Sequence, residues 1–296
     1  MADHLVRALC LTGGVRILAC TAAGLAEEIC SLQDTSATAS IAMARGLAAG
    51  ALMGALLKEN QRLALKFEGN GPLHKLIIEA ESDGVVRGCA AHPEAEVEPL
   101  NGSWNVAGLI GKAGFLTVTK DLGFGGDPYR GVVQLVSSEI GEDLAYYLTV
   151  SEQTPTAVGL GASLDTEGHI AVCGGFLVQA LPQADDEVLD AIMANINVLP
   201  PLSALIESSG PEGVLQLLFG DVPFTVLESH PLVFRCGCRI DKIERALLTL
   251  GIAELKNMQT EGDGAEVTCE FCRKTYRLDG RELDLLILKQ TGSLEE

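Results

Sequence analysis

A helix with no polar face has to be enclosed, and the segment Thr38 to Lys58, TASIAMARGLAAGALMGALLK, reads as such a helix. It is apolar nearly all the way round, the pattern of a helix buried on most faces rather than one lying on a surface. Gly46, Gly50 and Gly54 stand four apart and share one face. Each costs about 1 kcal/mol in helix propensity, and in return another backbone can approach closely. The most apolar run, Ile41 to Leu57, has 17 residues and contains Arg45. That is short of the roughly 20 clean apolar residues of a bilayer span. Tight packing inside a domain accounts for the glycine face better than dimerisation in a membrane.

Strand-like runs accompany this helix: Gly14 to Ala22, Leu63 to Gly69, His74 to Glu81, Gly114 to Lys120 and Tyr129 to Val136. They are β-branched, often alternating, and bounded by Gly, Asn, Asp or Pro. The expectation is an α+β fold, with an N-terminal domain over residues 1–182 built of largely antiparallel sheets around the buried helix.

The composition then shifts. From Gln183 to Arg235 there are eight acidic residues and one basic one, punctuated by Pro200, Pro201, Pro211, Pro223 and Pro231. Asp185, Asp186 and Glu187 open a predicted helix in which Val188, Leu189, Ile192, Met193 and Ile196 recur at helical spacing. Two shorter helices are expected at Ser203 to Ser208 and Glu212 to Phe219, with Gly210 and Gly220 as stops. Helices this short are marginal in water and take their stability from what they pack against. The region, residues 183–235, reads as an acidic helical linker: either one that simply docks, or one that undocks and exposes its apolar faces.

The last part, residues 236–291, reads as a small α+β module, with a helix from about Asp241 to Leu250, a hairpin from Glu266 to Asp279 and a helix near Arg281 to Leu288. It holds four of the nine cysteines, as Cys236-Gly237-Cys238 and Cys269-Glu270-Phe271-Cys272. Such pairs fit structural disulfides, a metal site or a redox switch. The N-terminal MADHLVRALC lacks a basic start followed by an apolar segment and cleavage site, so a cytoplasmic location is expected. In a reducing compartment an odd cysteine count disfavours a permanent disulfide framework. Two bidentate clamps supply the four thiolates of a closed tetrahedral zinc site, one ion per chain; an iron–sulfur cluster is the other metal reading. A module this small gains from such a staple. The other five, Cys10, Cys20, Cys30, Cys89 and Cys173, sit among apolar neighbours and read as buried small hydrophobes.

The two cysteine contexts, FRCGCRIDKIERAL and CEFCRKTYRLDGREL, resemble the zinc module of the redox-regulated 33-kDa heat-shock chaperone family. Further upstream, LVRALCLTGGVRILA, GNGPLHKLIIEA, DPYRGVVQLV, YYLTVSEQTPTAVGL and CGGFLVQALP look like successive landmarks of its N-terminal domain, so the resemblance runs from Asp3 to Leu288. Two features depart from the family pattern: Arg239, where a small polar residue is common, and the five additional thiols.

The resemblance implies an ATP-independent holdase, not an enzyme, whose reduced zinc-bound form is inactive. It implies that Cys236, Cys238, Cys269 and Cys272 are both ligands and sensors, forming Cys236–Cys238 and Cys269–Cys272 disulfides on oxidation. It further implies unfolding proteins as clients, a homodimer in the oxidised state and ATP-dependent foldases downstream. A disulfide across one intervening residue closes a small strained ring, and strained disulfides are readily reversed. The expected client surface is the apolar set Leu189, Ile192, Met193, Ile196, Leu217, Leu218 and Phe219, flanked by acids that keep an opened linker soluble.

A constitutive zinc-ribbon binding protein is the alternative, since Arg273, Lys274, Arg277 and Arg281 form a local basic cluster. Against nucleic acid stand a formal charge of -19 and the neighbouring Glu270, Asp279, Glu282 and Asp284. An enzyme is poorly supported. Around Gly108 to Gly114, Val106 and Ala113 stand where a phosphate loop needs glycine and a hydroxyl residue. Ser151-Glu152-Gln153 reads as a turn or cap. Among the five histidines, only His230 lies close in sequence to the cysteines.

Overall fold

The computed structural model describes residues 2–11, 13–123, 125–261 and 264–292. The chain divides into two compact units between Arg235 and Cys236.

The first unit opens with β1 (His4–Cys10), β2 (Val15–Thr21), α1 (Ala23–Gln33) and α2 (Ala37–Gly54), then β3 (Arg62–Gly69), β4 (Lys75–Glu81) and β5 (Val85–Ala90). It continues through α3 (Val106–Ile110), β6 (Gly114–Asp121), β7 (Tyr129–Gln134), α4 (Ile140–Val150), β8 (Thr156–Leu164) and β9 (Ile170–Ala180). The expected linker contributes α5 (Asp186–Asn197), α6 (Leu202–Phe219), β10 (Phe224–Pro231) and β11 (Val233–Phe234). One sheet has the order β10-β1-β2-β9-β8; the other has the order β11-β5-β4-β3-β6-β7. Every pairing is antiparallel except β11 with β5.

The apolar helix is α2, and it lies between the sheets. Its core joins Leu18 and Leu177 of the first sheet to Leu65, Phe67 and Ile78 of the second. Ser36 starts the helix by accepting the N–H of Ala39 on its hydroxyl. The glycine face meets β4: a Cβ on Gly46 would touch Leu76 and Ile78, one on Gly50 would come within 2.5 Å of Ile78, and one on Gly54 would meet Ala80. The match is geometric, since four helical residues advance about 6.0 Å and two strand residues about 6.7 Å.

The first sheet is buried on both faces by simple alternation. Leu18 and Cys20 of β2 face α2, whereas Val15, Ile17 and Ala19 face a second core formed with α5 and α6. Asp185 caps α5 by accepting the N–H groups of Glu187 and Val188. The two short helices expected after it are both present within α6, separated at Gly210, whose φ 63° and ψ -173° are not helical, with Pro211 next. Residues 183–235 thus pack on the sheet of the first unit and add β10 to its edge.

The second unit comprises α7 (Ile240–Leu248), α8 (Ile252–Glu261), β12 (Gly264–Thr268), β13 (Thr275–Asp279) and α9 (Gly280–Gly292). Its core is small: Leu247, Leu255, Leu278, Leu283, Leu286 and Ile287.

Candidate metal centre

Cys236 and Cys238 lie on the extended segment between β11 and α7, and Cys269 and Cys272 lie in the turn from β12 to β13. The five-rung β12–β13 ladder, Gly264 opposite Asp279 through Thr268 opposite Thr275, fixes that turn. Cys269 donates its N–H to the Lys274 carbonyl and accepts that of Arg273, which adopts φ 57°. The second clamp is therefore a tight knuckle.

All four sulfurs lie within 4.8 Å of one another. The Sγ–Sγ distances are 3.7 Å for Cys236–Cys269 and 3.3 Å for Cys238–Cys272. A tetrahedral ion with metal–sulfur bonds of about 2.3 Å separates its sulfurs by about 3.8 Å, so this donor set fits a zinc-sized cation. The short contacts run between the clamps, and no disulfide joins any of the described cysteines.

Electrostatics make the same point. Burial opposes ionisation of Cys238, yet hydrogen bonds from Tyr276 and the other three thiols bring its pKa down to about 7. Burial and donation to those neighbours push Cys272 up to about 12, and burial raises Cys236 as well. Without a cation, one thiolate is favoured at the expense of the others. A bound cation lets all four ionise together. Lys242 Nζ comes within 3.3 Å of the position a Gly237 side chain would take, and Lys274 Nζ lies 5.1 Å from the Tyr276 ring centre.

Tyr276 is the residue beside the four thiols that sequence reading missed. Its hydroxyl donates to the Cys238 carbonyl oxygen at 3.0 Å and to the Cys238 sulfur at 3.2 Å. The available signal was the alternation along β13, which turns Tyr276 and Leu278 inward.

The remaining candidates fall elsewhere. His230 pairs with Leu5 on β10 and is not part of the described metal-capable cluster. Cys10, Cys20, Cys30, Cys89 and Cys173 are all buried, and desolvation raises Cys20 to about 12 and Cys30 to about 11. Glu152 pairs with Lys120, and Ser151 ends α4. Gly111 terminates α3 against the backbone of Gly71. Of the expected client residues, Ile192, Leu218 and Phe219 are fully buried, Leu189 and Ile196 pack partly against the same core, and Met193 and Leu217 are exposed.

The family model described as "Hsp33 protein" matches residues 3–279. This chain belongs to the Hsp33 family. The 33 kDa chaperonin of Pelobacter propionicus is 62% identical, the alignment covering 97% of this chain and 94% of the relative. That of Citrifermentans bemidjiense is 48% identical, covering 99% and 100%. A crystal structure of the Thermotoga maritima 33 kDa chaperonin, 34% identical, superposes with a TM-score of 0.91 over 99% of this chain and 100% of its own. Membership of the Hsp33 family makes this a chaperone-family protein with a four-cysteine, metal-capable C-terminal centre. Among the described residues no helix is long and apolar enough to cross a membrane.

Proposed function

We propose that this protein is a redox-regulated, ATP-independent holdase of the cytoplasm, with no enzymatic activity of its own. In this reading residues 1–182 form the chaperone and dimerisation domain, residues 183–235 the linker, and residues 236–291 the redox switch. The observation that carries it is the convergence of four thiols from two segments into one set with sulfur contacts of 3.3 and 3.7 Å. One zinc ion per chain, held by Cys236, Cys238, Cys269 and Cys272, would supply structural cross-linking and no reaction chemistry.

Structural zinc binding contributes an apparent 10–16 kcal/mol in small peptides, against the roughly 5–15 kcal/mol that holds a whole domain together. An oxidant such as peroxide takes two electrons from each clamp, leaving Cys236–Cys238 and Cys269–Cys272 disulfides. Sulfurs consumed in this way no longer ligate, and the small second unit loses its staple. The linker then yields its apolar residues to unfolding proteins, which are held against aggregation and passed to ATP-dependent foldases. The oxidised protein is a homodimer.

The test follows metal and client together. Reduced protein loaded with zinc is treated with peroxide at mild heat, while a chromogenic chelator reports the metal and light scattering reports an unfolded client. Release of about one zinc per chain as scattering falls, with both effects reversed by thiol and zinc, is the expected result. Zinc that stays bound, or leaves without holdase activity, would overturn the switch. The client surface has its own check in a Met193→Ser/Leu217→Ser variant, which changes exposed positions and leaves the core intact; undiminished holdase activity would remove these two residues from that surface.

A further inference from the structure

The four sulfurs are not equivalent: the Tyr276 hydroxyl is aimed at one of them. We infer that Tyr276 is a positioning residue for the thiol centre, its single hydroxyl proton shared between the sulfur and the carbonyl oxygen of Cys238. The inference rests on the metal reading above and assigns to it a residue that is not a ligand.

The geometry gives the contact a purpose. Tyr276 is only 9% exposed, and its place opposite Val267 in the β12–β13 ladder fixes its backbone. That ladder carries Cys269 and Cys272 on its turn, whereas Cys238 comes from a segment more than 30 residues earlier. The Cys236–Cys238 segment has no strand partner of its own. At 3.0 and 3.2 Å the phenol therefore ties the unpaired clamp to the hairpin that bears the other one. Lys274 over the ring, 5.1 Å from its centre, helps hold its orientation.

A hydrogen bond to a ligating sulfur also acts on its electrons. Donation stabilises the sulfur lone pairs, so moving charge from that sulfur to a metal takes more energy than from an unbonded thiolate. Partners of this kind typically change metal affinity 10–100-fold.

The experiment uses the full chain loaded with cobalt(II), whose sulfur-to-metal charge-transfer band reports on the thiolates. Tyr276→Phe keeps the ring and removes only the donor. The band is expected to move to longer wavelength, and transfer of zinc from the Phe variant to a chelator is expected to be about 10-fold faster than from wild type. Replacing tyrosine throughout with 3-fluorotyrosine strengthens the donor and should move the band the opposite way. The other three tyrosines lie in the first unit, and this variant keeps the proposal open to refutation should Tyr276→Phe not fold. An unmoved band with an unchanged release rate in cobalt-binding protein would overturn the positioning role alone. Wild-type protein that takes up neither cobalt nor zinc would overturn the metal reading, and this inference with it.

Discussion

Asp143 is the only fully buried carboxylate among the described residues. It stands in the first turn of α4, and one oxygen accepts the N–H groups of Val136 and Ser137 at 2.7 and 3.1 Å. Its other oxygen has no partner. Burial raises its pKa above the ordinary aspartate value, outweighing the backbone bonds that lower it. The folded chain therefore keeps this proton over a window in which the unfolded chain has lost it. The associated stability is fully present below the unfolded value and declines as pH rises through the folded one. Asp143→Asn retains an acceptor oxygen and removes the titration, so its melting temperature should fall less than wild type's between about pH 4 and pH 7. Thermal unfolding across that range, with an equal decline in both proteins as the contrary outcome, decides it. The cysteines allow a second check. Alkylation of the reduced, metal-free native protein should modify Cys236, Cys238, Cys269 and Cys272 and spare the five buried thiols; denaturation should expose all nine. Rapid native labelling of Cys20 or Cys173 would contradict their burial.

At the scale of elements, the α2–β4 contact leaves little room for a side chain. Gly50→Ala gains about 1 kcal/mol of helix propensity, but its methyl would lie 2.5 Å from Ile78 Cγ2. Overpacking of this kind costs about 1–3 kcal/mol. Gly46→Ala meets its neighbours at 3.1 Å, so Gly50→Ala should be the less stable variant in urea. Equal midpoints would show that the sheet shifts to make room. This face was legible because glycines four apart on an apolar helix imply a close neighbour, although only the structure identifies it as Leu76, Ile78 and Ala80. The alternating strands β3, β4 and β6 were equally legible. Others were not. β9 is inward on both faces and contains Gly174-Gly175, which erases alternation. β10 is largely exposed and lies among prolines, so it reads as linker. At the site, the spacing of the two close pairs pointed to the four cysteines that the structure brings within 4.8 Å of one another. Tyr276 reaches Cys238 across 38 positions, a relation that tertiary folding creates and local pattern does not contain.

At the scale of the whole chain, the two units differ in what holds them. The first encloses α2 between two sheets and covers the outer face of one with α5 and α6. Among the described residues, the core cluster of the second has six buried aliphatic side chains, with much of α8 and the hairpin exposed. A unit of this size seldom gains more than about 3–5 kcal/mol from its core, and four neighbouring thiols with no cation add mutual hydrogen bonding but no cross-link. Metal removal should therefore act on one unit and not the other. In reduced protein stripped by a strong chelator, brief proteolysis should cut between about Arg239 and Lys289, leaving a resistant product that ends near residue 235. Zinc added beforehand should suppress the cuts. Hydrogen exchange should agree, with amides of β12 and β13 losing protection while those of β3, β4 and β9 keep theirs. Cleavage inside α5 or α6 at the same rate as in α7 would mean that these helices depend on the second unit as well as on the sheet beneath them. Protection of the hairpin without metal would instead show that its small core suffices, and that zinc release is not the event that unfolds it.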